Sequence, residues 1–212
     1  MVIGVTVAIA AFLMTEMEIF LISVKGETFQ YLVHNDSVGI GHEVPAMLFF
    51  ILISLVLATT AGMLTVYVGP KAAGSGLPEL IGCMNGINIS SYLTPVILVV
   101  KSIAVVLAVA GTLVLGREGP LAHVGACIGI LVLFLPMKFF GFDEFKTNEK
   151  YREFVAAGLS AGVSVAFGAP MGGTLFGYEI SGAQTFWSFE MIWRNFFCCA
   201  IATFGLAVLY SL

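Results

Sequence analysis

Charge is scarce in this sequence. Only 10% of its 212 residues are Asp, Glu, Lys or Arg, against roughly 25% in soluble domains. With 59% hydrophobic residues and a mean hydropathy of +1.02, the composition excludes a soluble enzyme domain, a disordered tail and a basic nucleic-acid binder. Cysteine is equally uninformative as a framework. Cys83, Cys127, Cys198 and Cys199 have neither metal spacing nor a disulfide pattern and lie mostly in apolar runs, so they read as packing residues. No cofactor is implied. Of the three histidines, His34 and His42 fall in a polar connection and read as solvated side chains, whereas His123 falls in apolar chain and reads as a hydrogen-bonded interior group.

What the sequence has is apolar length. Charge-free runs cover 1–15, 44–70, 80–100, 102–116, 119–137, 154–178 and 195–212. Several approach the ~20 residues that carry a helix across hydrocarbon, which predicts roughly six to eight membrane passes or entries. The chain is therefore expected to be an all-α, multi-pass integral membrane protein, a single domain over 1–212 in contact with lipid. The first run lacks a basic leader and a cleavage pattern, and reads as membrane helix rather than signal peptide. Spanning helices are expected at 1–24 and 46–69, joined by a polar loop. The connection 25–43 holds one Lys and three acids, whereas 138–153 holds four basic residues, which favours the first outside and the second inside. Composition does not separate a plasma membrane from an intracellular vesicle membrane.

Within the apolar chain, Gly116-Arg117-Glu118-Gly119-Pro120 places a carboxylate at bilayer depth. Such a group costs on the order of 3 kcal/mol, so it marks a functional site unless shown otherwise. Glycine and proline beside it predict a break followed by a new helix. Gly74-Ser75-Gly76-Leu77-Pro78-Glu79 is built alike, with proline in the first turn of a helix opening at Leu77 or Pro78. A third break, Gly168-Ala169-Pro170-Met171-Gly172-Gly173, divides 154–178. It leaves 153–167 as a half-helix of about 22 Å, short of the ~30 Å core. A helix N-terminus carries about half a positive charge and unpaired N–H donors, so it receives an anion without a formal cation. Broken helices at membrane depth line a cavity or are buried in protein. Three of them favour an anion pathway, and the alternative is a bundle with proline kinks and no ion site.

These three segments, the last extending as Ala166-Phe167-Gly168-Ala169-Pro170-Met171-Gly172-Gly173-Thr174-Leu175-Phe176, resemble the ordered signatures of the CLC chloride channel and transporter family. The resemblance covers nearly everything from about residue 40 onward, and the wording of 160–176 is similar to eukaryotic members. It implies a fold of tilted and broken transmembrane helices, the first half of a CLC-type inverted repeat. It further implies that Ser75 donates to a dehydrated anion, with serine at this place going with chloride. Glu118 would be the gate, a carboxylate that imitates the anion and swings away when protonated or displaced. On this resemblance the anion-binding set is Gly74, Ser75, Gly76, Leu77, Pro78, Arg117, Glu118, Gly119 and Pro120. Arg117 would add positive potential, a plain salt bridge being the equal alternative.

Two departures from the family pattern matter. Antiporters of the family carry an inner proton-handling glutamate as the second of two consecutive acids, and here Tyr178-Glu179-Ile180 puts Ile180 at that position. This favours a passive, voltage-gated-type chloride channel, the alternative being a Cl⁻/H⁺ antiporter of the same family. The second half of the repeat and the cytoplasmic nucleotide-binding pair do not follow Leu212. An incomplete pore is expected unless a homodimer or a chain supplying the remainder completes it, and a non-conducting subunit is the further alternative. Gly158-x-x-x-Gly162 and Gly173-x-x-x-Gly177 suit close helix packing, between copies or within one bundle. Gly158-Leu159-Ser160-Ala161-Gly162 also matches a serine-hydrolase elbow, but its flanks are helix formers and no histidine follows it, so no enzyme is expected.

Overall fold

A computed structural model describes residues 1–35, 43–87, 89, 91–140, 147–181 and 189–211. The helices are α1 (Val2–Asn35), α2 (Glu43–Met63), α3 (Leu77–Met84), α4 (Pro95–Ala110), α5 (Glu118–Phe140), α6 (Asn148–Phe167), α7 (Pro170–Ser181) and α8 (Phe189–Ser211). A π-turn at Leu64–Val68 and a short 3-10 turn at Pro70–Ala72 extend α2 towards the Ser75 loop. There is no β-strand among the described residues, and the all-α membrane architecture expected from composition is what forms.

Among the described residues, three helices are long and apolar enough to cross a membrane: Val2–Val33, Val44–Val68 and Phe189–Ser211. Their outward faces carry exposed Leu55, Val56, Phe197 and Phe204, a distribution that only an apolar surrounding tolerates. Other helices are too short to span. At 1.5 Å per residue, the 16-residue α4 is about 24 Å long and the 12-residue α7 about 18 Å, both below the hydrocarbon thickness.

Two boundaries differ from the sequence expectation. Helix α1 does not stop at residue 24 but continues to Asn35, because Glu27, Thr28 and Gln30 are polar without being helix breakers. Lys25, expected in a loop, is consequently a buried helical residue. Helix α6 is not a half-helix. It begins at Asn148 after Thr147, with Glu149 in its first turn, and its 20 residues reach about 30 Å. The expected polar loop beyond Asp36, including His42, lies outside the described residues. So do Lys146 and the side chains of His34 and Lys138.

The helices are organised around α5 and α6. Two buried clusters flank this pair: Val7, Met14, Val124 and Val165 on the side of α1 and α8, and Leu80, Met84, Ala126 and Leu159 on the side of α3. Gly125 and Gly129 of α5 face Gly158 and Gly162 of α6 so closely that a Cβ on any of them would enter the opposite backbone. On α7, a Cβ at Gly173 would meet the backbone of Ser160 and Ser164 of α6, and one at Gly177 would collide with the Ser160 hydroxyl. Both small-residue motifs are thus used inside one bundle. Ser160, fully buried in mid-helix under Gly177, is not on the strand-turn-helix elbow a hydrolase needs.

Gly125→Val is expected to destabilise the protein by at least about 3 kcal/mol, since the added atoms meet backbone that cannot rotate away. Gly26, with nothing within 4 Å of its Cβ position, makes the contrast: Gly26→Ala should stabilise α1 by about 0.5–1 kcal/mol. Thermal unfolding in detergent should move in opposite directions for the two variants.

Candidate anion site

The N-termini of α3 and α5 open onto one cavity of about 600 Å³. From the first come Gly74, Ser75 and Leu77, and from the second Glu118, Gly119 and Pro120. The two ends touch, as a Cβ on Gly119 would lie 2.8 Å from the Ser75 Cβ. Only a residue without a side chain allows this approach. Each helix end brings first-turn N–H groups that no intrahelical carbonyl accepts, so the cavity is walled on two sides by partial positive charge.

The Ser75 loop is shaped by glycine and held from behind. Gly74 and Gly76 have φ of +70° and +84°, a left-handed conformation that costs other residues about 1–2 kcal/mol. The Tyr92 hydroxyl donates to the Gly76 carbonyl at 2.6 Å. The Tyr92 ring stacks on His123 with centroids 4.2 Å apart, and His123 Nε2 lies 3.4 Å from the Tyr92 carbonyl. His123 is fully buried, an interior residue that backs the loop. Ser75 itself is exposed to the cavity, its Oγ 3.4 Å from the Leu77 amide.

Glu118 is half-buried at the start of α5, and its carboxylate folds back over Gly116, where a Cβ would collide with Oε2. Among the described residues this carboxylate has no ion-pair partner. Arg117 takes the salt-bridge alternative. Its Nη1 lies 3.2 Å from Oε2 of Glu18 on α1 and 3.3 Å from Oγ1 of Thr15, and it is not among the residues lining the cavity. Gly76 is buried behind the loop and Pro78 is exposed, and neither lines the cavity. The third break is also elsewhere. It turns α6 into α7 with Phe167 and Met171 exposed, and none of its residues lines this cavity. Ile180 is a partly buried apolar residue packed against the cluster that holds Leu80 and Met84, next to exposed Glu179.

A sequence model of the voltage gated chloride channel family matches residues 55–211. The chain belongs to the CLC family. It is 43% identical over 171 residues to chloride channel protein D of Dictyostelium discoideum, covering 78% of this chain and 17% of that protein. It is 39% identical over 181 residues to the human H(+)/Cl(-) exchange transporter 3, covering 85% of this chain and 21% of that protein. Its fold matches the crystal structure of a eukaryotic CLC transporter with a TM-score of 0.82 at 21% identity, over 99% of this chain and 36% of that one. The chain thus spans about a fifth of the length of these curated relatives.

The CLC signatures do not include every residue of the site. Lys101 of α4 is 1% exposed, yet lines the cavity and donates from Nζ to the Gly74 carbonyl at 2.8 Å. It was visible in the sequence as a lone cation between the charge-free runs 80–100 and 102–116, where the rule that singled out Glu118 applies equally. Its ammonium adds a formal positive charge close to the partial charges of the helix ends. Tyr92 carried no such signal, because only the tertiary packing brings it under Gly76.

The two left-handed glycines should respond differently to substitution. A Cβ on Gly76 would lie 2.6 Å from His123 Nδ1 and 2.8 Å from the Tyr92 hydroxyl, whereas Gly74 faces open space. Gly76→Ala is expected to cost about 3 kcal/mol from backbone strain plus overpacking, and Gly74→Ala about 1 kcal/mol from strain alone. Thermal unfolding of the two variants in detergent checks the order.

Proposed function

We propose that this chain builds one wall of a chloride pathway, in which a dehydrated anion rests between the N-termini of α3 and α5 and the carboxylate of Glu118 competes for its place. The observation that carries this reading is the shared cavity: the Ser75 loop and Glu118 line it together, with Lys101 behind the loop. Unpaired N–H groups and a serine hydroxyl hold a halide, and other small monovalent anions, without binding it so tightly that it cannot leave. Glu118, the gate, is an anion tethered beside the same donors. Ionised, it occupies the seat of the permeating ion; protonated or displaced, it leaves the way open.

The transport is proposed to be passive and of the voltage-gated type. An isoleucine at position 180, packed among apolar side chains, neither binds nor releases a proton, which supports a channel over an exchanger. Proton-coupled exchange is the second reading, favoured by the 39% identity to a human H(+)/Cl(-) exchange transporter. The separating experiment is chloride efflux from liposomes with simultaneous recording of proton uptake, on the longest product that carries these residues. Chloride movement without stoichiometric proton movement supports the channel, and coupled movement selects the exchanger. The chain is further proposed to work in an assembly, as a homodimer or beside the protein that supplies the second half of the repeat.

Two variants test the site itself. Glu118→Gln should give chloride efflux that depends less on bath pH and on voltage, and unchanged dependence would remove Glu118 as the gate. Ser75→Pro should lower the chloride-to-nitrate permeability ratio measured by reversal potential or competitive flux; an unaltered ratio would take Ser75 out of the anion contact.

A further inference from the structure

We infer that α1 is the positioning element of the gate: Glu18 and Lys25 pin the two ends of the segment 111–117 leading into Glu118, and so set how readily its carboxylate leaves the cavity. The inference rests on the reading of Glu118 as a gate. Neither side chain belongs to the anion cavity, and neither touches Glu118 directly.

Glu18 and Lys25 are seven residues apart, two helical turns, and therefore share one face of α1. Both are almost completely buried, at 5% and 4% exposure. An ion so placed persists only with partners, and both find theirs at the ends of one connection. Lys25 Nζ donates to the carbonyl of Ala110 at 2.9 Å and to Ser54 Oγ at 3.0 Å, and it stands 4.1 Å over the ring of Phe50. Ala110 is the last residue of α4, where carbonyls lack intrahelical donors and the helix end is partly negative. The ammonium therefore caps α4 from another helix.

The next residues are tied to the same place. Thr112 adopts φ of +57°, unusual for a β-branched residue, and its hydroxyl lies 2.7 Å from the Gly111 carbonyl and 3.3 Å from Ser54 Oγ. Leu113, Leu115 and Gly116 then line the cavity without helical backbone. At the far end Glu18 and Thr15 take the guanidinium of Arg117. The Arg117 carbonyl accepts from Leu121 at 2.9 Å, opening α5. The strap is thus fixed twice to a single rigid helix and is irregular only between the two points.

The quality of the Glu18–Arg117 tie separates positioning from stability. Oε1 of Glu18 is buried with no hydrogen-bond partner. A carboxylate held for stability alone would satisfy both oxygens, since an orphaned charged oxygen offsets most of what the pair contributes. What this single-point contact does provide is a fixed location for the residue directly before the gate.

The test uses the longest product carrying these residues, with Glu18→Gln, Lys25→Met, Glu118→Gln and the double variant Glu18→Gln/Glu118→Gln. Hydrogen exchange reads the strap directly, at the amides of Gly111, Thr112 and Leu113, bonded to α4 carbonyls, and of Leu121. Loss of a charge-assisted tie is expected to quicken exchange about tenfold, at 111–113 for Lys25→Met and at 121 for Glu18→Gln. Chloride flux reads the gate: Glu18→Gln should change it alone, but not on the Glu118→Gln background. Glu18→Asp and Lys25→Arg, which keep the charges, should restore most of both readouts.

Unchanged exchange in folded Glu18→Gln and Lys25→Met proteins overturns the inference. So does a Glu18→Gln flux effect of equal size with and without Glu118→Gln, because the residue would then act elsewhere. A Glu18→Gln protein that fails to fold, beside a folded Glu18→Asp protein matching wild type in both readouts, marks the pair as a stability element and also overturns it. If Glu118→Gln alone leaves flux untouched, the gate reading falls, while the exchange data still decide whether α1 pins the strap.

Discussion

Backbone pressed against backbone, where α5 meets α6, is the constraint on which the rest of this structure depends. Gly125, Gly129, Gly158 and Gly162 remove the side chains that would hold the two helices at an ordinary 8–10 Å separation. In a membrane, lipid tails are as apolar as leucine, so association comes from close dispersion contact rather than from the hydrophobic effect. This contact gives the bundle a rigid centre with a buried cluster on either side. Because α5 begins at Glu118, fixing α5 against α6 also fixes where the cavity carboxylate starts.

From that fixed point the electrostatics follow with few charges. Two helix N-termini meet at Ser75 and Gly119, and each carries the partial charge of its own peptide dipoles. The formal positive charges are engaged by partners within the protein. Lys101 holds the Gly74 carbonyl, Lys25 holds the Ala110 carbonyl, and Arg117 is spent on Glu18. Lys101 and Lys25 thus hold backbone carbonyls around the cavity, whose walls are largely apolar side chains, with peptide groups at the two helix ends. A surface of partial charges suits a proposed passing ion, since a fully exposed ammonium would hold it too long.

Some of this was legible residue by residue. Scarcity of charge over spanning lengths identified the membrane class, and the Gly-Pro breaks located the starts of α3, α5 and α7 within a residue or two. The misreadings share one cause. A lone charge in apolar chain reads as a boundary in sequence, whereas Lys25 and Lys101 are interior groups with carbonyl partners far along the chain. The same holds for α6, whose charged first turn reads in sequence as lying outside the helix. The three breaks also looked equivalent in sequence, and only two of them face each other.

What the sequence by itself determined are the local quantities: where helices stop, which positions lack a side chain, and which ionisable groups must be buried, since glycine, proline and charge act through their own backbone and solvation. What only the tertiary structure decided are the pairings. That Ser75 meets Gly119, that Arg117 turns to Glu18 and away from the cavity, and that Tyr92 supports Gly76 depend on how separate helices pack. Such contacts are chosen by the shape of the whole bundle, in which residues as far apart as Thr15 and Arg117 become neighbours only after α1, α4 and α5 have closed on one another.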